Sequence, residues 1–179
     1  MAKKVSQIKH IENILANKFK DAAQCKLIED KRNDVANPFY MERTIVAEHD
    51  VEYILYRFNP DEEEIFPFFN DATDLKKICD YILFAERGRS LYVLLIEMKL
   101  GMGSVHKQLD ASELFIKYIL DSAERIGSKI EDYHIRKVRI CERKSKGKRT
   151  TKPKDLEYGL DSFLEYNTIR DFRIKELLM

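Results

Sequence analysis

Residues 91–101 read LYVLLIEMKLG: six apolar residues in a row, then a glutamate and a lysine two positions apart. Successive side chains of a β-strand alternate faces, so Leu91, Val93 and Leu95 take one side and Tyr92, Leu94 and Ile96 the other. Apolar residues on both faces mark a strand covered on both sides, inside an α/β domain. The same alternation puts Glu97 and Lys99 on one face and Met98 on the other. Glutamate and lysine are rarely buried without partners, so the charged end of so apolar a strand has to be explained chemically.

The residues before it supply a neighbour. Segment 78–85, ICDYILFA, reads as a second strand, and ERGRS at 86–90 reads as a turn built on Gly88. With the turn centred on Gly88, paired residue numbers sum to about 175 to 177, which sets Asp80 opposite Leu95, Ile96 or Glu97. After the break at 101–103, Ser104 is the expected N-cap of a helix whose stripe runs through Val105, Leu109, Phe115, Ile119 and Leu120 until Gly127. Residues 132–141 look like a further strand.

Upstream, Val5, Ile8, Ile11, Leu15 and Phe19 recur at helical spacing. They predict an amphipathic helix ending near Gln24, with Glu12 on the inward stripe. Segment 51–58, VEYILYRF, reads as a strand, followed by the acidic turn NPDEEE and an aromatic loop, IFPFFND, that either packs on the core or stacks on bases. The chain closes with two short segments, at about 156–166 and 168–178. The predicted order is α-β-β-β-α-β: an α/β fold with a mixed β-sheet flanked by helices. It forms a single domain over 1–179, with a core at about 5–141, an acidic insertion, and a basic loop and C-terminal extension at 142–179.

A length of 179 residues suits one domain with a sizeable core. No apolar run approaches the roughly 20 residues that span a bilayer, and the N-terminus lacks a signal-peptide pattern, so no membrane association is expected. Three cysteines, Cys25, Cys79 and Cys141, are odd in number and far apart. That argues against a disulfide framework or a paired-cysteine zinc site and suits a cytoplasmic protein.

The net charge of +1 conceals a strong separation. Residues 48–74 hold nine acidic residues and one arginine, whereas 136–154 hold ten basic residues and one glutamate. Arg136, Lys137, Arg139, Arg143, Lys144, Lys146, Lys148 and Arg149 are therefore candidates for tracking a nucleic-acid backbone, although a solvated lysine-rich loop has the same composition. The four histidines show no metal-binding spacing. Neither a glycine-rich phosphate loop nor a nucleophile motif is present.

Asp80 and Glu97, on neighbouring strands, would repel each other unless a cation lies between them. Mg²⁺ takes oxygen ligands and keeps several waters, so two carboxylates and the Met98 carbonyl form a sufficient set. Lys99 would then orient or deprotonate a water, or stabilise charge on a phosphate, and Gln108 would help to position that water or a ligand.

At this point the residues resemble a family. Asp80, then Glu97-Met98-Lys99, in α-β-β-β-α-β order, are similar to the PD-(D/E)XK nuclease superfamily, with its restriction-endonuclease-like core. The resemblance implies a metal-dependent nuclease: Asp80, Glu97 and the carbonyl of Met98 hold Mg²⁺, with Mn²⁺ as a substitute, and Lys99 serves the water. It also implies Glu12 on the first helix and Gln108 after the motif as further catalytic candidates, DNA as the leading substrate with RNA left open, and dimers that cut both strands. Cys79 stands where the family's motif has proline.

An acid and a lysine two apart mean nothing alone: Glu29-Asp30-Lys31, Asp74-Leu75-Lys76 and Glu142-Arg143-Lys144 match as well. Only Glu97 and Lys99 end a doubly buried strand with an acid on the strand before and a helix after. The competing reading is a catalytically inactive nucleic-acid- or protein-binding module on the same fold. Glu97 and Lys99 would then pair at a solvated sheet edge, with Asp80 serving a turn.

Overall fold

The computed structural model describes residues 6–58, 64–70, 72–100, 103–128, 130, 132–142, 163–166 and 171–178. In chain order these form α1 (Gln7–Ile14), β1 (Lys26–Asp30), β2 (Tyr40–Val46), β3 (Val51–Tyr56), β4 (Tyr81–Arg87), β5 (Ser90–Leu100), α2 (His106–Arg125), β6 (Tyr133–Glu142), β7 (Leu164–Tyr166) and β8 (Asp171–Arg173). Short 3₁₀ turns lie at Asn17–Phe19 and Ile174–Leu177.

The α/β class holds, but there are two mixed sheets. One has five strands in the order β3-β4-β5-β6-β7, the other three in the order β1-β2-β8. Strand β4 runs antiparallel to both β3 and β5, and β6 returns parallel to β5 after α2, as a helical crossover requires. The β4–β5 hairpin closes on Gly88-Arg89 between the paired Arg87 and Ser90, with Gly88 at φ +66°.

β5 is central, and its two faces meet different layers. Leu91, Val93 and Leu95 pack with Ile8 and Ile11 of α1 and with Leu109, Ile116 and Leu120 of α2. Leu94, Ile96 and Met98 pack instead with Leu27, Met41, Ile45 and Phe172 of the second sheet. Burying each such side chain contributes roughly 1.5–3 kcal/mol, which accounts for apolar residues on both faces. The expected helices thus cover one face only, and a sheet covers the other.

Four elements differ from expectation. The first helix stops at Ile14 rather than near Gln24, because the chain turns to pair with β3. Asp21 N–H donates to the Leu55 carbonyl at 3.0 Å, and Arg57 N–H to that of Phe19 at 2.8 Å. Leu15 and Phe19 still reach the core from outside the helix. Val105, not Ser104, occupies the cap position of α2, and no side chain caps it. Segment 78–80 precedes β4 instead of belonging to it. The tail is not an appendage either: Leu164 lies against β6, and Phe172, Ile174 and Leu177 are fully buried beneath the five-stranded sheet. Among the described residues no helix is long and apolar enough to cross a membrane.

Candidate active site

The hairpin register follows one end of the expected arithmetic. Tyr81 pairs with Ile96, so paired numbers sum to 177 and Asp80 falls opposite Glu97. β4 begins at Tyr81 while β5 runs on to Leu100, which leaves the β4-facing edge of β5 without a strand beyond Ile96. Asp80 covers part of that edge: its Oδ2 accepts the Met98 N–H at 2.6 Å. N–H and C=O groups of one strand residue leave by the same edge, so the Met98 carbonyl also faces the Asp80 side.

Cys79 and Ser112 fix the approach to Asp80. Cys79 N–H donates to Ser112 Oγ at 2.8 Å, and that hydroxyl donates to the Gln108 carbonyl at 2.7 Å. Both Cys79 and Ser112 are fully buried. Proline at position 79 would have no N–H to give, so a residue with a backbone N–H has a local use here. Burial pushes the Cys79 thiol up, which keeps it neutral.

Glu97 is 2% exposed and pairs with Lys99, Nζ to Oε1, at 2.9 Å. Among the described residues its second oxygen, Oε2, is buried without a hydrogen-bond partner. Burial raises the carboxyl of Asp80 above its ordinary range, and the charges of Glu97 and then Glu29 add to the rise. Burial also raises Glu97, against the opposing pull of Lys99. Both carboxylates are therefore held where ionisation is costly and a further cation is favoured.

Two residues set aside on sequence grounds belong to this neighbourhood. Glu29 of β1 is 7% exposed, and its carboxylate meets Lys31 at 2.7 Å. The hydroxyl of Tyr81, the residue after Asp80, accepts from Ile28 N–H at 2.9 Å and donates to the Ile28 carbonyl at 2.8 Å. That clamp ties the middle of β1 to the start of β4. The alternation of Leu27 and Glu29 on one face, with Lys31 just past the strand end, was the available signal. The strand occupies only five residues, Lys26–Asp30, with charges at both ends.

The remaining candidates separate. Gln108 sits half-buried in the first turn of α2, and among the described residues its side chain makes no hydrogen bond. Glu12 turns to Lys20 at 2.8 Å, a bond that lowers its carboxyl below the usual range, and no contact joins it to Asp80 or Glu97. Lys137 is taken up by α2, at 2.7 Å from Asp110 and 2.6 Å from Glu113. Arg139 is 3% exposed beside Glu97 in the β5–β6 register and meets Glu165 at 3.4 Å. Arg136 is half-buried, with Nη1 directed at the Ile135 carbonyl at 3.4 Å. Arg139 is thus buried beside β5, and Lys137 is half-buried against α2. Arg143, Lys144, Lys146, Lys148 and Arg149 lie outside the described residues.

As a metal site the cluster is lean. Among the described residues no three His, Cys, Asp or Glu side chains converge as ligands. Two carboxylates and a carbonyl fit Mg²⁺, which keeps several waters, better than an ion that demands a full protein cage. The orphaned Glu97 Oε2 fits the same ion. No family model, curated protein or solved structure matches the chain.

Proposed function

We propose that the chain is a metal-dependent nuclease that hydrolyses phosphodiester bonds, with DNA as its substrate, on a restriction-endonuclease-like core formed by α1, β3–β5, α2 and β6. One observation carries this reading: the β4–β5 register, carried one residue on, sets the half-buried Asp80 opposite the buried Glu97, and Glu97 Oε2 has no hydrogen-bond partner among the described residues. A structural ion pair between Glu97 and Lys99 would explain Oε1 but not the buried oxygen beside it. Leaving such an oxygen unsatisfied costs about 1–3 kcal/mol, which an acceptor kept for a cation explains.

Asp80, Glu97 and the Met98 carbonyl would hold Mg²⁺, or Mn²⁺ in its place. When bound, the ion supplies Lewis-acid activation of water and of the phosphoryl oxygens. The chain's own residues do the positioning. Met98 N–H fixes one oxygen of Asp80 and so sets its direction. Ser112 anchors the backbone one residue earlier. Lys99 has three N–H groups and gives one to Glu97. The other two remain for a water or a non-bridging phosphate oxygen, where they stabilise charge that grows as the fifth bond to phosphorus forms.

Cleavage tests this directly. Supercoiled, branched and single-stranded DNA are incubated with wild type and with Lys99→Ala in Mg²⁺, Mn²⁺ or EDTA. Cutting that needs the metal and disappears in the variant is the expected result, and the preferred DNA form narrows the substrate. DNA binding without cutting, equal in both proteins, would instead favour a binding module.

A further inference from the structure

We propose that Lys31, held by Glu29, binds a second phosphate of the same nucleic-acid strand, so that the added strand β1 supplies substrate affinity to the Asp80–Glu97 site. This deepens the nuclease reading and rests on it for the identity of the ligand. The geometry comes from a repeated unit. At the end of β5 a buried glutamate holds a part-exposed lysine two residues on, with Glu97 3% and Lys99 27% exposed at their side chains. At the end of β1 the same arrangement recurs, with Glu29 9% and Lys31 45% exposed. In each case the carboxylate is fixed in the interior and the ammonium emerges toward solvent.

Two hydrogen bonds between the Tyr81 hydroxyl and the Ile28 backbone tie these units together, one residue from Glu29 and one from Asp80. Lys31 is rigidly mounted. Its N–H donates to the Phe39 carbonyl at 2.8 Å, Phe39 N–H donates back at 3.3 Å, and the ammonium lies over the Phe39 ring at 5.5 Å. The Glu29 hydrogen bond raises Lys31 above its ordinary value, with further contributions from Asp80 and Glu97, so the ammonium lies within the field of both acids.

A single phosphate ester needs one such cation. A polymer presents phosphates in series, so two lysines flanking a pair of acids suit a strand that passes across the site. Lys31 is then a substrate-binding residue, and Glu29 a positioning residue that acts through it.

Binding of a fluorescent duplex oligonucleotide is followed across a salt titration in EDTA, where nothing is hydrolysed. Lys31→Gln, Lys31→Arg and Glu29→Gln are compared with wild type, each with its circular dichroism spectrum checked. One lost phosphate contact lowers the slope of log K against log salt by about 0.9. That drop is expected in Lys31→Gln, with recovery in Lys31→Arg and weaker binding at unchanged slope in Glu29→Gln. A wild-type slope in Lys31→Gln overturns the assignment, as does a wild-type protein that binds no duplex. If the slope falls but wild type cuts nothing in Mg²⁺, the catalytic reading fails while the Lys31 assignment stands.

Discussion

Replacing Asp80 by asparagine removes a half-buried charge but keeps an oxygen for the Met98 N–H. Two unit charges on paired positions, on the order of 5 Å apart at an effective dielectric of ~20, repel by roughly 3 kcal/mol. The Lys99 ammonium, 2.9 Å from Glu97, offsets part of this. The metal-free Asp80→Asn protein should therefore gain about 1–2 kcal/mol when both acids of the wild type are ionised. For a chain of this size that is a rise in Tm of about 2–8 °C.

The pH dependence has a definite sign. Burial, then the Glu97 charge, hold the Asp80 carboxyl above its ordinary range, so the native chain keeps a proton that the unfolded chain has released. Metal-free wild type must therefore lose stability as pH rises from the ordinary carboxylate range to the raised folded value. The loss is at most ~1.4 kcal/mol per pH unit. Asp80→Asn lacks this slope, so the two proteins should melt closest together near about pH 4 and diverge toward about pH 9.

Mg²⁺ should reverse the order. A hundredfold excess over Kd stabilises the binding-competent protein by about 2.7 kcal/mol, and the variant should gain little. Calorimetry in EDTA and in Mg²⁺ across this pH range checks both parts. An Asp80→Asn protein less stable than wild type in EDTA at high pH would refute the reasoning, because the charge would then be a favourable structural cap on β5.

Other substitutions probe the supports around the pair. Ser112→Ala strands the buried Cys79 N–H and should cost about 1–3 kcal/mol, read as a lower urea midpoint. Tyr81→Phe removes both bonds to Ile28. It should cost a similar amount, and its duplex-binding slope should shift toward that of Lys31→Gln. Lys137→Gln releases Asp110 and Glu113 and should cost ~1 kcal/mol or less, with duplex affinity unchanged because this lysine faces α2.

The centre of the fold was legible because its signals were strong and local. Six apolar residues before Glu97, a glycine turn at Gly88 and a helical stripe after Val105 are patterns that tertiary context rarely overturns. The same arithmetic brought Asp80 to Glu97. What failed was local evidence without its tertiary partner. Arg43 occupies a core-facing position of β2 and is 3% exposed, so the alternation of Met41, Arg43 and Ile45 does not read as a buried face. Strands β7 and β8 are three residues each, too short for any period to show, and are fixed by parallel pairing with β6 and β2.

Charge was the least reliable guide. Lys137 and Arg139 look like surface cations, yet their strand faces α2 and Glu97. Glu29 and Lys31 look like a chance match to the lysine motif until the Tyr81 hydroxyl brings their strand to Asp80. Composition reports how many charges a segment carries, whereas only the sheet register decides which of them meet.

The claim on which the rest depends is that Asp80 and Glu97 share a divalent cation. Titrating the metal-free protein with Mn²⁺ and following the free-ion signal by electron paramagnetic resonance tests it most directly. The account predicts that wild type removes Mn²⁺ from solution, that Mg²⁺ competes for it, and that both Asp80→Asn and Glu97→Gln abolish the binding. Undiminished Mn²⁺ signal with wild type, or equal uptake by the two variants, would contradict it.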